Sequence, residues 1–295
     1  MPAGQGAPVE PDDPDEPVGA TLARMRRARR LTGAGLAGMV GMSQPKISRI
    51  ERSKALPDPE DVAIIARALG ADEVRIRVLT ERAERSHDKL TDWRPTSESL
   101  ASRQERVTEW ESAAEVVRDF QPALLTGLLQ TSGYARAALV SFQRLADLGT
   151  EELTEAAILA AVSARIRRQE VLANAAKAFR FVITEAVLKN RICSPVEMLA
   201  QIGRLRDVAG RHANVAIGVI PDGAAVDIPP LHGFTLFDDK LIVIDAYTSG
   251  LTTRGRADLA SYRRVFDEFQ ERARMDIEPV LDKYESFYLD QLRPA

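Results

Sequence analysis

Long apolar runs, a basic-then-apolar leader and paired cysteines are all missing from this 295-residue sequence. A bilayer-spanning helix needs ~18 to 20 consecutive apolar residues, and no stretch approaches that. With no secretory pattern at the N-terminus either, the sequence predicts a cytoplasmic protein without a membrane partner. A single cysteine, Cys193, excludes an internal disulfide, and three scattered histidines (His87, His212, His232) assemble no metal-ligand spacing. No metal and no cofactor are expected. What is present is a hydrophobic content of 45%, enough for a sizeable core, on a length that favours two domains.

The net charge of −3 conceals two opposite excesses. Residues 1–17 hold five acids (Glu10, Asp12, Asp13, Asp15, Glu16), no base, and prolines at 2, 8, 11, 14 and 17. Such a segment buries too little apolar surface to offset its ordering entropy and reads as a disordered acidic tail. From 18 to 56 the balance reverses. Arg24, Arg26, Arg27, Arg29, Arg30, Lys46, Arg49, Arg52 and Lys54 face one acid, Glu51, the charge pattern of a nucleic-acid surface.

Four helices are expected in this region. They span 18–30, 34–40, 44–52 (Ser43 as N-cap, Pro45 in the first turn) and 59–69 (Asp58 as N-cap, Gly70 at the end). The spacing across the second and third is specific. Leu36, Val40, Met42, Ile47 and Ile50 are placed to fill a core, Ala37 to let two helices cross closely, and Gly41 to make a tight turn. Gln44, Pro45, Lys46, Ser48, Arg49 and Arg52 are left facing outward. Gly33, Gly35 and Gly38 spell a GxGxxG dinucleotide fingerprint, but that motif works only after a buried strand, and the arginine-rich RMRRARRL precedes it here.

The run SQPKISRIERSKALPDPEDVAIIARALG resembles the repressor-type helix-turn-helix family, the XRE group that includes phage repressors and Cro-like proteins. The resemblance covers about 18–80 and implies a five-helix domain whose third helix enters the DNA major groove. By position, Gln44, Lys46 and Arg49 would meet base edges and Pro45 a thymine methyl. Ser43, Ser48, Arg52 and Lys54 would hold phosphates. One departure is that Gly33, Ala34 and Gly35 stand where family members carry Gln or Glu.

Residues 84–101 read as a linker, and 102–295 as an α+β domain with a small, mostly antiparallel sheet. The expected strands include 179–184, 215–220 and a hairpin of FTLF and LIVID around Asp238, Asp239 and Lys240. GLLQT followed by YARA, the RRQ at 167–169, EAVL at 185–188 and GFTLFD resemble the large C-terminal domain of actinobacterial WhiJ-like regulators. That resemblance implies a developmental or secondary-metabolism regulator acting with a small partner protein encoded nearby. The acids Glu185, Asp222, Asp227 and Asp245 sit at strand ends, but no nucleophile, base and orienting group recur at an interpretable spacing, so no enzyme is expected. In GLLQT the leucines read as core, and a pocket would draw on Gln130, Tyr134 and Arg165.

The sequence therefore points to a regulator that binds double-stranded DNA as a homodimer, with its C-terminal domain serving dimerisation and partner or effector binding. The competing reading is an antitoxin-like protein that binds a small cognate protein and autoregulates its own operon.

Overall fold

The structure, a computed structural model, describes residues 16–52, 57–87, 91–92, 100–146, 154–247 and 249–293. The chain divides into two compact units, Met1–Lys89 and Leu90–Ala295. Of the segment 1–17 read as a disordered tail, residues 1–15 lie outside the described residues, while Glu16 and Pro17 are described and Pro17 stands at the N-cap of the first helix.

Among the described residues the first unit is all helical: α1 (Val18–Ala28), α2 (Gly33–Val40), α3 (Gln44–Glu51), α4 (Pro59–Ala68) and α5 (Glu73–His87). Local chemistry sets these boundaries. Thr32 caps α2 through the Gly35 amide at 3.0 Å, Ser43 caps α3 through the Lys46 amide at 3.3 Å, and Asp58 caps α4 through the Glu60 amide at 2.8 Å. Gly41 (φ 67°) and Gly70 (φ 71°) take the left-handed conformation that ends a helix cheaply only at glycine. Leu22, Leu36, Ile47, Ile50, Ile65 and Leu79 form the centre of the core, with Val40 and Met42 only partly buried at its rim.

The second unit runs β1 (Thr91–Asp92), α6 (Leu100–Ala113), β2 (Val116–Gln121), a 3-10 turn at Gly127–Leu129, α7 (Ser132–Ala146) and α8 (Glu155–Arg168). It continues through a 3-10 turn at Gln169–Ala173, β3 (Ala178–Thr184), α9 (Ala186–Lys189), α10 (Pro195–Arg211), β4 (Val215–Ile220), β5 (Phe234–Phe237), β6 (Leu241–Asp245), β7 (Gly250–Thr253), α11 (Arg256–Arg272) and α12 (Glu278–Asp290). The α+β class stands, and the sheet is larger than expected. Among the described residues seven strands lie in the order β1-β7-β6-β5-β2-β3-β4; four pairings are antiparallel, while β2-β3 and β3-β4 are parallel. The FTLF–LIVID hairpin is present as β5 and β6, turned through Asp238 at φ 51°. Within the stretch read as a linker, Thr91 and Asp92 pair with β7, and residues 84–87 and 100–101 belong to α5 and α6.

Alternation along the strands buries both faces of the sheet. Val117, Phe181, Ile183, Ile217 and Val243 join a core that includes residues of α10 and α12. Phe120, Val182, Leu236 and Ile242 pack with Phe266 and Phe269 of α11 on the other side.

Candidate nucleic-acid interface

Three devices fix α3. First, the α2–α3 turn closes with the Gly41 and Met42 amides both donating to the Ala37 carbonyl, which sets the direction in which α3 leaves. Second, Ile47 and Ile50 are buried at 1% and 3% exposure, so the opposite stripe of an eight-residue helix must face water. Third, α3 is clamped to α1. Arg26 donates through Nε and Nη2 to the two carboxylate oxygens of Glu51 at 2.6 and 2.8 Å, and through Nη1 to the Leu31 carbonyl at 2.6 Å. The side chains of Arg26 and Glu51 are 14% and 11% exposed, so this bidentate pair is largely desolvated. Hydrogen bonding to Glu51 raises the Arg26 pKa above its ordinary value. At the same crossing, a Cβ added to Gly19 would lie 2.0 Å from the Ile50 carbonyl oxygen. The α1 and α3 backbones therefore meet at a glycine.

On the outward stripe Gln44, Pro45 and Arg49 are exposed, and Lys46 and Ser48 are half-buried. Lys46 is not idle: its Nζ pairs with Asp61 of α4 at 2.7 Å. Arg52 is exposed and donates to the Ser48 hydroxyl, and Ser43 is exposed while capping the helix. Lys54 lies outside the described residues. The Gln44 amide nitrogen lies 3.8 Å from where a Gly33 Cβ would stand, so Gln44 rests over the start of α2. Gly33, Gly35 and Gly38 all sit on α2 behind helix α1, without the preceding strand that a dinucleotide loop requires.

Sequence reasoning counted Arg26 as part of the basic surface and assigned no task to Glu51, Gly19 or Asp61. The signal available was Glu51 itself, one acid among nine bases between 18 and 56. An isolated acid in a polyanion-binding surface opposes that surface's purpose, so it has a structural partner.

A family described as a helix-turn-helix domain matches residues 17–79. Residues 104–278, more than half of the chain, match a family described as Domain of unknown function (DUF5753). The chain belongs to the DUF5753 family. Its N-terminal unit is a DNA-binding helix-turn-helix domain. No curated protein matches the sequence. Among solved structures, TrmBL2, described as an archaeal chromatin protein with a novel mode of DNA binding, is similar over 86% of this chain and 93% of its own at 11% identity. The TM-score of 0.30 is too low for that likeness to carry an argument.

In the DUF5753 region the motifs read from the sequence converge on one buried polar network. Gln130 donates to the Leu125 carbonyl at 2.6 Å and accepts from Arg165 at 2.8 Å; Gln169 donates to the carbonyls of Gly127 and Gln130 at 2.9 and 2.6 Å. The amide of Leu125 donates to the Tyr134 hydroxyl at 3.1 Å. Gln130 and Tyr134 are thus buried pins that hold the GLLQT turn, and Leu125, Leu128 and Leu129 are core. Leu124 is only half-buried. The strand-end acids are likewise engaged: Glu185 accepts from the Asp222 amide and the Tyr284 hydroxyl and pairs with Lys283, Asp222 pairs with Lys189, and Asp227 pairs with Arg272. Burial pushes the Cys193 thiol up to about 11, which keeps it protonated and unreactive near neutral pH.

Glu111 of α6 meets Arg168 of α8 at 3.0 Å, with 5% and 7% exposure, yet burial outweighs that attraction and lifts the Glu111 carboxyl to about 7. Burial also lifts Asp119 of β2 to about 6 against hydrogen bonds from Thr235 and Gln121. Between the ordinary carboxylate range and about 7 the folded unit therefore holds protons that the unfolded chain has released. Raising pH through that window should lower the stability of the DUF5753 unit by roughly 1–3 kcal/mol, with a plateau above it. Urea midpoints measured from pH 5 to 8 check this, and Glu111→Gln should flatten the slope. A midpoint that rises with pH would contradict the assignment.

Proposed function

We propose that this protein is a sequence-specific transcription regulator that lays α3 in the major groove, as the repressor-type family does. Gln44 and Arg49 meet base edges, and Lys46 joins them once it exchanges Asp61 for DNA. Pro45 touches a thymine methyl. Ser43, Ser48, Arg52 and Lys54 hold phosphates. The observation that carries this reading is the split of α3 into a buried Ile47–Ile50 side and an exposed side with Gln44 and Arg49.

One recognition helix covers only a half-site, so the acting species is a cytoplasmic homodimer. The DUF5753 unit serves dimerisation and binding of a partner or effector and carries no catalysis, in keeping with the resemblance to WhiJ-like regulators.

The test compares two substitutions on one helix. Arg49→Ala should cost ~1–3 kcal/mol on the specific site and relax base preference there. Arg52→Ala should weaken specific and random DNA alike and reduce the salt slope by about one. Titrations of both variants against operator and scrambled duplexes at several salt concentrations decide the matter; identical behaviour of the two variants on both duplexes would refute the division of roles.

A further inference from the structure

The surface of the helix-turn-helix unit is less basic than its sequence. Arg26 is consumed by Glu51 and Lys46 by Asp61. Arg27, Arg29, Arg30 and Arg49 are exposed and have no carboxylate within ion-pair distance among the described residues. The chain itself supplies four acids in the stretch that leads into this unit: Glu10, Asp12, Asp13 and Asp15.

The place where that stretch ends is equally pointed. Glu16 accepts from the Thr21 hydroxyl at 2.8 Å and from Arg24 at 3.1 Å, and its backbone carbonyl accepts from Arg82. These bonds hold the Glu16 carboxyl below its ordinary pKa. Glu16 also lines a cleft of about 460 Å³ together with Arg24, Arg27 and Glu51. The last acid of the series therefore already sits on the α1 surface, beside the residue that anchors α3. At ~3.5 Å per extended residue, Glu10 reaches as far as about 20 Å from Glu16, which already shares a cleft with Arg27.

We propose that the acidic segment 10–16 docks within its own chain on the exposed arginines Arg27, Arg29, Arg30 and Arg49, and competes there with DNA phosphates. The occupant is chosen by charge complementarity, by proximity and by the Glu16 anchor. Phosphate attraction supplies most non-specific affinity, whereas base contacts discriminate sequences. A tethered polyanion therefore weakens binding to random DNA most, and salt screens its effect. The docking claim stands on the charges and the anchor; only its consequence for DNA rests on the function proposed above.

Two variants of the whole protein test it, one substituted and one truncated. One replaces the four acids together (Glu10→Gln, Asp12→Asn, Asp13→Asn, Asp15→Asn), and the other lacks residues 2–15 but keeps Glu16. The side-chain NεH resonances of Arg27 and Arg49 should shift in both variants relative to the parent, independently of protein concentration. Affinity for a random duplex should rise about tenfold near 50 mM salt, which corresponds to a DNA-competent fraction of about one in ten in the parent, and the gap should close at high salt. Unshifted arginine resonances overturn the docking, and so does a shift that depends on concentration, because it would place the tail on a second copy. Shifted resonances with no DNA binding by any variant would leave the docking standing and sink the regulator reading instead.

Discussion

Glu51→Ala should unfold the helix-turn-helix unit or leave it marginal, while the DUF5753 unit stays folded. The substitution leaves the Arg26 guanidinium largely desolvated against α3 with only the Leu31 carbonyl for company. Removing one partner of a fully buried ion pair costs ~3–5 kcal/mol; this pair is part-buried, so about 2–3 kcal/mol is expected, a large share of the roughly 5 kcal/mol that a domain of this size has to lose. No Trp, Tyr or Phe precedes Trp93 in the sequence, so intrinsic fluorescence does not report on α1 to α5. Hydrogen exchange read by mass spectrometry does: peptides from α1 and α3 should lose protection while β3 and β4 retain theirs. Arg26→Met combined with Glu51→Leu should recover most of the loss, since an apolar pair leaves no stranded charge. Unchanged protection in Glu51→Ala would show that the clamp contributes nothing to stability.

Gly19→Ala is the second severe case, and its sign runs against helix propensity. In an unconstrained helix interior the change would stabilise by about 1 kcal/mol. Here the new methyl would stand 2.0 Å from the Ile50 carbonyl oxygen, an atom of the α3 backbone that no rotamer change can move aside. Overpacking of this kind costs ~1–3 kcal/mol or more, so a net destabilisation is expected despite the better helix former. Because the strain is relieved by sliding α3 away from α1, DNA affinity should fall even at temperatures where the unit remains folded. Stability and DNA affinity measured together check this, and a variant as stable as the parent would mean the two backbones are not in contact.

What could be read from the sequence was whatever depends on neighbours in the chain. Ser43 and Asp58 cap helices because a short side-chain oxygen reaches an amide two or three residues on, and Gly41 and Gly70 end helices because the left-handed conformation is cheap only for glycine. The central strand β2 was not legible. Arg118 and Asp119 interrupt its apolar run and disguise a strand that lies between β5 and β3. Asp119 is tolerated there because Thr235, more than a hundred residues away, donates to it at 2.6 Å. The parallel β2-β3-β4 half of the sheet was missed for the same reason, since its register is settled by crossover helices rather than by adjacent turns.

The divide also explains why charge counting alone misjudged the interface. The sequence by itself determined that a short capped helix would follow a glycine turn, with isoleucines on one side and Gln44, Lys46 and Arg49 off that side, because helical periodicity is a local property. Which cations remain available to a ligand was decided only by tertiary structure, which brought Glu51 to Arg26 and Asp61 to Lys46 across 25 and 15 residues. An ion pair depends on distance in space, which an unfolded sequence does not contain.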